Sequence, residues 1–152
     1  MGKLTPGSKA PAFRLKNQQG KTVKLSDFKG RRLLVYFYPK ANTSGCTTQA
    51  CAVRDALPDL SKAGVAAVGI SPDGPSAQAK FDEKYGLGFP LLCDEDHAVA
   101  EAYGAWGEKS MYGKKYEGVI RSAFLIDSKG KVEQAWYKVS PKATVPNVLG
   151  AL

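Results

Sequence analysis

Few side chains in this sequence can do covalent chemistry. Among 152 residues there are three cysteines, Cys46, Cys51 and Cys93, and a single histidine, His97. Three thiols are too few, and odd in number, for the disulfide framework of a small secreted scaffold, and a chain of this length does not need one. A structural zinc site wants four Cys or His ligands in tight pairs, whereas Cys46 and Cys51 have four residues between them, so no metal is expected. His97 follows Asp94-Glu95-Asp96 and reads as a solvent-facing residue at a capped helix start. That removes most Cys-His and Ser-His schemes and leaves an activated thiol as the chemistry to look for.

The informative stretch is YFYPKANTSGCTTQACAVRD, residues 36–55. Cys46 falls just past the end of an apolar run and at the start of an amphipathic one, the strand-to-helix junction where α/β sheets carry reactive groups. Unpaired N–H groups at a helix N-terminus favour thiolate over thiol. The alternative is a buried cysteine acting as a small hydrophobe, and the polar neighbours Gly45, Thr47 and Thr48 argue against it. Ionisation alone would gain about thirtyfold at neutral pH, partly offset by lower intrinsic nucleophilicity. A dedicated enzyme must also stabilise charge developing on its substrate. Thr43, three residues earlier, offers a hydroxyl, and Arg121, at the start of a later strand, a fixed cation. Taken singly, Thr43 reads as a loop or cap residue and Arg121 as a surface ion pair.

The elements that must position these groups follow from periodicity. Residues 12–15 and 22–25 are short strand-like runs around Asn17-Gln18-Gln19-Gly20 and predict an N-terminal β-hairpin. Leu33 to Tyr38 is a continuous apolar run that reads as a central strand buried on both faces. A helix is expected over about 47–62, with Ala50, Val53, Leu57 and Leu60 at helical spacing and Pro58 kinking it or ending its regular part. Strands at 65–70 and 89–93 alternate with helices near 76–85 and 96–103. A polar loop is expected over 104–118, then strands over 119–126 and 132–139 joined by Asp127-Ser128-Lys129-Gly130, and a closing helix after Pro141. This order is that of a thioredoxin-like α/β fold, a central mixed sheet flanked by helices, with residues 1–152 forming one domain.

Composition bounds the partners. Hydrophobic residues make up 43% and charged residues 24%, and no apolar run approaches the roughly 20 residues that span a bilayer. No membrane partner is expected, and the lack of an apolar leader in residues 1–20 predicts a cytoplasmic location. The net charge is +8, with ten basic residues and one acid in the first 40 positions. Six of them are spaced singly (Lys3, Lys9, Arg14, Lys16, Lys21, Lys24), as on the solvated face of strands and turns. No helix-turn-helix, zinc-finger or RNP pattern accompanies them, so no nucleic acid is expected either.

Pro39-x3-Thr43-x2-Cys46 resembles the active-site signature of the peroxiredoxins. The continuation Gly45-Cys46-Thr47-Thr48-Gln49-Ala50-Cys51 with Arg54-Asp55 resembles the peroxiredoxin Q, or bacterioferritin-comigratory-protein, subfamily. The resemblance extends to Gly7-x-Lys9-Ala10-Pro11-x-Phe13, to residues 68–72 and to Arg121-Ser122-Ala123-Phe124-Leu125-Ile126-Asp127. One departure is Ser44, where many members carry proline, and it removes no catalytic group. The resemblance implies a thiol peroxidase. The Cys46 thiolate would attack the terminal oxygen of hydrogen peroxide or an alkyl hydroperoxide and become a sulfenic acid. Thr43 and Arg121 would hold the peroxide oxygens, Pro39 would shield the pocket from water, and N–H groups near Gly45 would assist. Cys51 would resolve the sulfenic acid as a Cys46–Cys51 disulfide reduced by thioredoxin or a similar dithiol, the atypical 2-Cys scheme. No metal, haem, flavin or nicotinamide cofactor is implied.

Residues five apart on an α-helix are separated by about 7.5 Å along the axis and about 140° around it, which puts their Cα atoms roughly 8 to 9 Å apart. That exceeds the ~7 Å limit for a disulfide, so closing the bridge requires the helix start to unwind. Cys93, ending a short apolar strand, is expected to be packed and unreactive, with an alternative resolving role as the minor reading. A monomer is expected, because both redox cysteines share one helix. Two rivals remain: a thioredoxin-like dithiol-disulfide oxidoreductase acting on proteins, disfavoured by the lack of C-x-x-C, and a nonenzymatic basic binding module.

Overall fold

Asn17 makes the first turn: its side-chain oxygen accepts the N–H groups of Gln19 and Lys21, and Gly20 supplies a φ of 76°. The flanking strands β1 (Arg14–Lys16) and β2 (Thr22–Lys24) pair antiparallel, which is the expected hairpin. A single 3-10 turn, Leu25–Phe28, leads into β3 (Arg32–Phe37). After it come α1 (Ser44–Lys62), β4 (Val65–Ser71), α2 (Pro75–Tyr85), β5 (Leu91–Cys93) and α3 (Ala98–Ala102). The chain closes with β6 (Trp106–Met111), β7 (Lys114–Val119), β8 (Ser122–Ile126), β9 (Val132–Trp136) and α4 (Thr144–Gly150). This computed structural model describes residues 3–152.

Seven strands form one sheet in the order β2-β1-β5-β4-β3-β8-β9. The three central strands β3, β4 and β5 are parallel, joined by helical crossovers, while β8 and β9 return antiparallel on one side and the hairpin closes the other. Every residue from Leu33 to Tyr38 is buried, because β3 is covered on both faces. Leu34, Tyr36 and Tyr38 face α1, α2 and α4, packing with Ala50, Val53, Leu60, Phe81 and Val148. Leu33, Val35 and Phe37 face the other way, onto Phe13, Tyr103 and Phe124. Gly69 of β4 makes room for this aromatic layer: a Cβ there would sit 3.0 Å from the rings of both Tyr36 and Tyr38. The architecture is the thioredoxin-like mixed sheet with helices that the sequence predicts.

Two local expectations need correction. Residues 104–118 are not a loop but carry a separate two-stranded sheet, with β6 and β7 paired from Trp106↔Val119 to Met111↔Lys114. Its turn residues Tyr112 and Gly113 both take positive φ, 53° and 77°, the geometry of the tight hairpin turn usually signalled by Asn-Gly or Asp-Gly. Tyr at the first position hides that signal, and the mostly exposed strand residues give no apolar alternation. Pro58 does not end α1, which runs four residues further, to Lys62. The capped start of α3 is as expected: His97 is its N-cap residue and Asp94 receives the N–H groups of Val99 and Ala100, while the His97 ring stacks on Trp106 with 3.8 Å between ring centres.

Candidate active site

Thr43 is the N-cap of α1, and Ser44, Gly45 and Cys46 are its first three residues. The first intrahelical bond runs from Thr47 N–H to the Thr43 carbonyl. The Thr43 hydroxyl does not cap the helix, because it donates to the Lys40 carbonyl at 2.8 Å. The N–H groups of Ser44, Gly45 and Cys46 therefore have no protein partner among the described residues. They form the positive end of a 19-residue helix beside the thiol.

Cys46 itself is 1% exposed, packed against the β3 face, and Arg121 meets it there. The arginine lies in the two-residue link between β7 and β8, and its Nη2 approaches the Cys46 sulfur at 3.5 Å. Its Nη1 donates to Gln49 Oε1 at 2.7 Å, and Gln49 Nε2 donates to the Thr144 hydroxyl at 2.9 Å. Gln49 and Thr144 are fully buried, so this relay fixes the guanidinium plane from α1 and α4 together. Gly45 allows the approach: a Cβ at that position would come within 3.2 Å of Arg121 Nη2 and 3.5 Å of the Pro141 ring.

The structure thus brings Cys46, Gly45 and Arg121 together. Pro39 stands half-buried between β3 and α1, and Thr43 is exposed at the helix start, with no hydrogen bond to the sulfur. Cys51 lies half-buried on the same unbroken helix, and all three cysteines are free thiols. Gln49 was given no role by sequence reasoning, although its place three residues after Cys46 puts it on the same helical face. Thr144 carried no signal at all. Beneath the site, burial pushes the Tyr36 and Tyr38 hydroxyls well above their usual range, so both stay protonated.

A cleft of about 600 Å³ opens onto Arg121, lined by Lys109, Ser110, Lys115, Ile120 and Lys138 among others. One wall is the β6–β7 sheet. Lys109 donates to the Val119 carbonyl, and burial followed by repulsion from Arg121 lowers its pKa. Among the described residues no three His, Cys, Asp or Glu side chains gather as metal ligands.

Two expectations follow from this geometry. Arg121→Ala should slow oxidation of Cys46 by peroxide by about 10² to 10³, the usual cost of removing a preorganised charge donor. Stopped-flow measurement of the peroxide rate constant checks it, and an unchanged constant would reduce Arg121 to packing. Cys93 sits apart, buried beside the Asn17 carbonyl. Burial first, then Glu95 and Asp73, push its thiol up to about 11. Cys93 should therefore react slowly with iodoacetamide at pH 8, gaining rate as pH climbs towards 11.

The sequence pattern of the AhpC/TSA family matches residues 6–135. Peroxiredoxin Bcp of Escherichia coli is 54% identical over 136 residues, 90% of this chain and 87% of that protein. The structure of Xanthomonas campestris peroxiredoxin Q superposes with a TM-score of 0.88 at 37% identity, covering 98% of this chain and 94% of that one. Structures of the Xanthomonas campestris bacterioferritin comigratory protein, described for its alkyl peroxide reduction activity, give a TM-score of 0.87 at 36% identity, with the same coverage.

Proposed function

Because the chain belongs to the AhpC/TSA family and is a peroxiredoxin, a thiol-dependent peroxidase, we propose that Cys46 is its peroxide-reacting nucleophile and Cys51 its resolving thiol. The observation that carries this reading is the Arg121 guanidinium 3.5 Å from a buried sulfur at the N-terminus of α1. The thiolate attacks the terminal peroxide oxygen, an S–O bond forms as the O–O bond breaks, and the departing oxygen leaves as water or alcohol after taking a proton. Arg121 and the free N–H groups of residues 44–46 hold the two oxygens while negative charge passes from sulfur to the leaving group. Pro39 and Thr43 precede Cys46 on the link from β3 to α1, and the Thr43 hydroxyl, donating to the Lys40 carbonyl, keeps its lone pairs as acceptors. The sulfenic acid is then attacked by Cys51. An S–S bond forms, the hydroxyl departs as water, and an external dithiol, thioredoxin or one like it, restores both thiols.

The substrate is a peroxide and the reductant a thiol. The finer reading is a cytoplasmic protein of one domain over residues 1–152, using no cofactor and working as a monomer. Among the described residues no helix is long and apolar enough to cross a membrane. Both thiols lie on α1, which supports a monomer, since resolution then needs no second chain. Sedimentation at micromolar concentration should give one species near 16.3 kDa, and a stable dimer would reverse that assignment.

The deciding experiment is a steady-state assay with hydrogen peroxide and an alkyl hydroperoxide, in which reduced thioredoxin and glutaredoxin compete as electron donors. Thioredoxin oxidation that requires peroxide supports the reading. Reduction of protein disulfides without any peroxide dependence would favour a dithiol-disulfide oxidoreductase instead.

A further inference from the structure

A second cleft, of about 480 Å³, lies at the opposite end of β3 from Cys46. The six residues of β3, at about 3.3 Å each, separate the two by roughly 20 Å. Its floor is apolar and buried: Ala10, Phe13, Leu33 and Ile126, with Leu25 and Phe28 as half-buried walls. The backbone around it is already paired, Leu25 N–H to the Phe13 carbonyl and Gly30 N–H to the Ser128 carbonyl. Little but hydrocarbon is left to face an occupant.

The rim is the reverse. Lys9, Arg14, Lys24, Lys29, Arg31 and Lys129 surround the opening, all exposed. Among the described residues none of these six forms an ion pair. The single acid in the lining, Asp127, is occupied in its own turn, where one oxygen accepts the N–H groups of Lys129 and Lys131. Arg31 sets its guanidinium 5.4 Å from the centre of the Phe28 ring, so positive charge stands directly over the apolar wall.

We propose that this cleft binds an amphipathic anion, a free aliphatic carboxylate whose chain lies on Phe13, Leu25, Phe28 and Ile126 and whose head group meets Lys24, Lys29 and Arg31. Each half of the site selects for half of that ligand. A neutral hydrocarbon would leave the unpaired cations without purpose, and a compact inorganic anion would leave the apolar floor wet. A nucleic acid would bind along the rim without entering the cleft. The volume falls within the roughly 300 to 1,000 Å³ of small-molecule pockets. This site shares no residue with the peroxidase centre, so its failure leaves that reading intact.

The test is an amide NMR titration of the whole protein with dodecanoate, kept below its micellar concentration. Saturable shifts should appear at Ala10, Phe13, Leu25, Phe28 and Ile126 and not around Arg121. Lys24→Glu, Lys29→Glu and Arg31→Glu together should weaken binding at least tenfold while leaving thioredoxin-dependent peroxidase activity unchanged. In the wild type, raising salt from about 50 to about 500 mM should weaken binding severalfold, because exposed cations are screened. Dodecyltrimethylammonium, with the same chain and opposite charge, should leave these amides unmoved. Absence of saturable shifts, equal binding of the cationic chain, or salt-independent affinity would each overturn the proposal. So would displacement of dodecanoate by a short single-stranded oligonucleotide acting on the same residues, which would make the rim a polyanion surface.

Discussion

Cys46→Ser should abolish peroxide turnover while leaving the fold in place. Oxygen replaces sulfur at a position 1% exposed, wedged between the start of α1 and the Tyr36 layer, so the change in volume is small and the packing survives. A stability change within about 2 kcal/mol is expected for a substitution of this kind. The chemistry does not survive, because a serine hydroxyl is not ionised near neutral pH and offers Arg121 no anion to hold. The Arg121–Gln49–Thr144 relay would remain assembled around an inert atom. Peroxide consumption by the variant, followed beside its far-ultraviolet circular dichroism, separates lost chemistry from lost structure. Substantial turnover in a folded Cys46→Ser protein would exclude Cys46 as the nucleophile.

The same relay marks the boundary of what the sequence makes legible. The βαβ order, the doubly covered β3 and the thiol at a helix start are all local patterns: a six-residue apolar run, an i, i+3, i+4 stripe, and a polar break between them. Arg121 could be named because charge stabilisation was needed and a cation stood at a strand entrance. Its partners could not. Gln49 looks like a surface residue of an amphipathic helix, and it is buried only because Arg121 and Thr144, 72 and 95 residues away, arrive on either side of it. The β6–β7 sheet was hidden for a related reason. Most of its strand residues are exposed and its turn is the positive-φ pair Tyr112-Gly113, so periodicity has little to report. The cleft at the far end of β3 is likewise assembled from the segments around 9–14, 24–33 and 126–130. Each of these reads singly as a solvated basic stretch.

Cys51→Ser should stop turnover after one cycle, and the reason lies in how α1 begins. Both thiols stand on regular helix, where residues five apart keep their Cα atoms roughly 8 to 9 Å apart, so the proposed Cys46–Cys51 bridge requires the helix to open first. Three features make that opening local. The N-cap side chain is turned away to Lys40, leaving out a contact commonly worth about 1 kcal/mol. Gly45 adds backbone freedom in the first turn. The buried face over the first two turns consists of Cys46, Gln49 and Ala50, with little apolar surface to lose, whereas Val53 and Leu60 anchor the later turns. Oxidised wild type should therefore lose helical signal and amide protection from about residue 46, most strongly up to the Val53 anchor and fading towards Ala56, and recover both on reduction. Cys51→Ser can form the sulfenic acid but cannot close the bridge. It should consume about one equivalent of peroxide, keep its helix, and then stall or pass to the sulfinic acid. Hydrogen exchange with mass spectrometry reads both states in one experiment. If the oxidised wild type held a confirmed Cys46–Cys51 bridge with protection across residues 46–52 undiminished, unwinding would not be the route to the disulfide. The two sulfurs would then have to meet by a distortion within the intact helix.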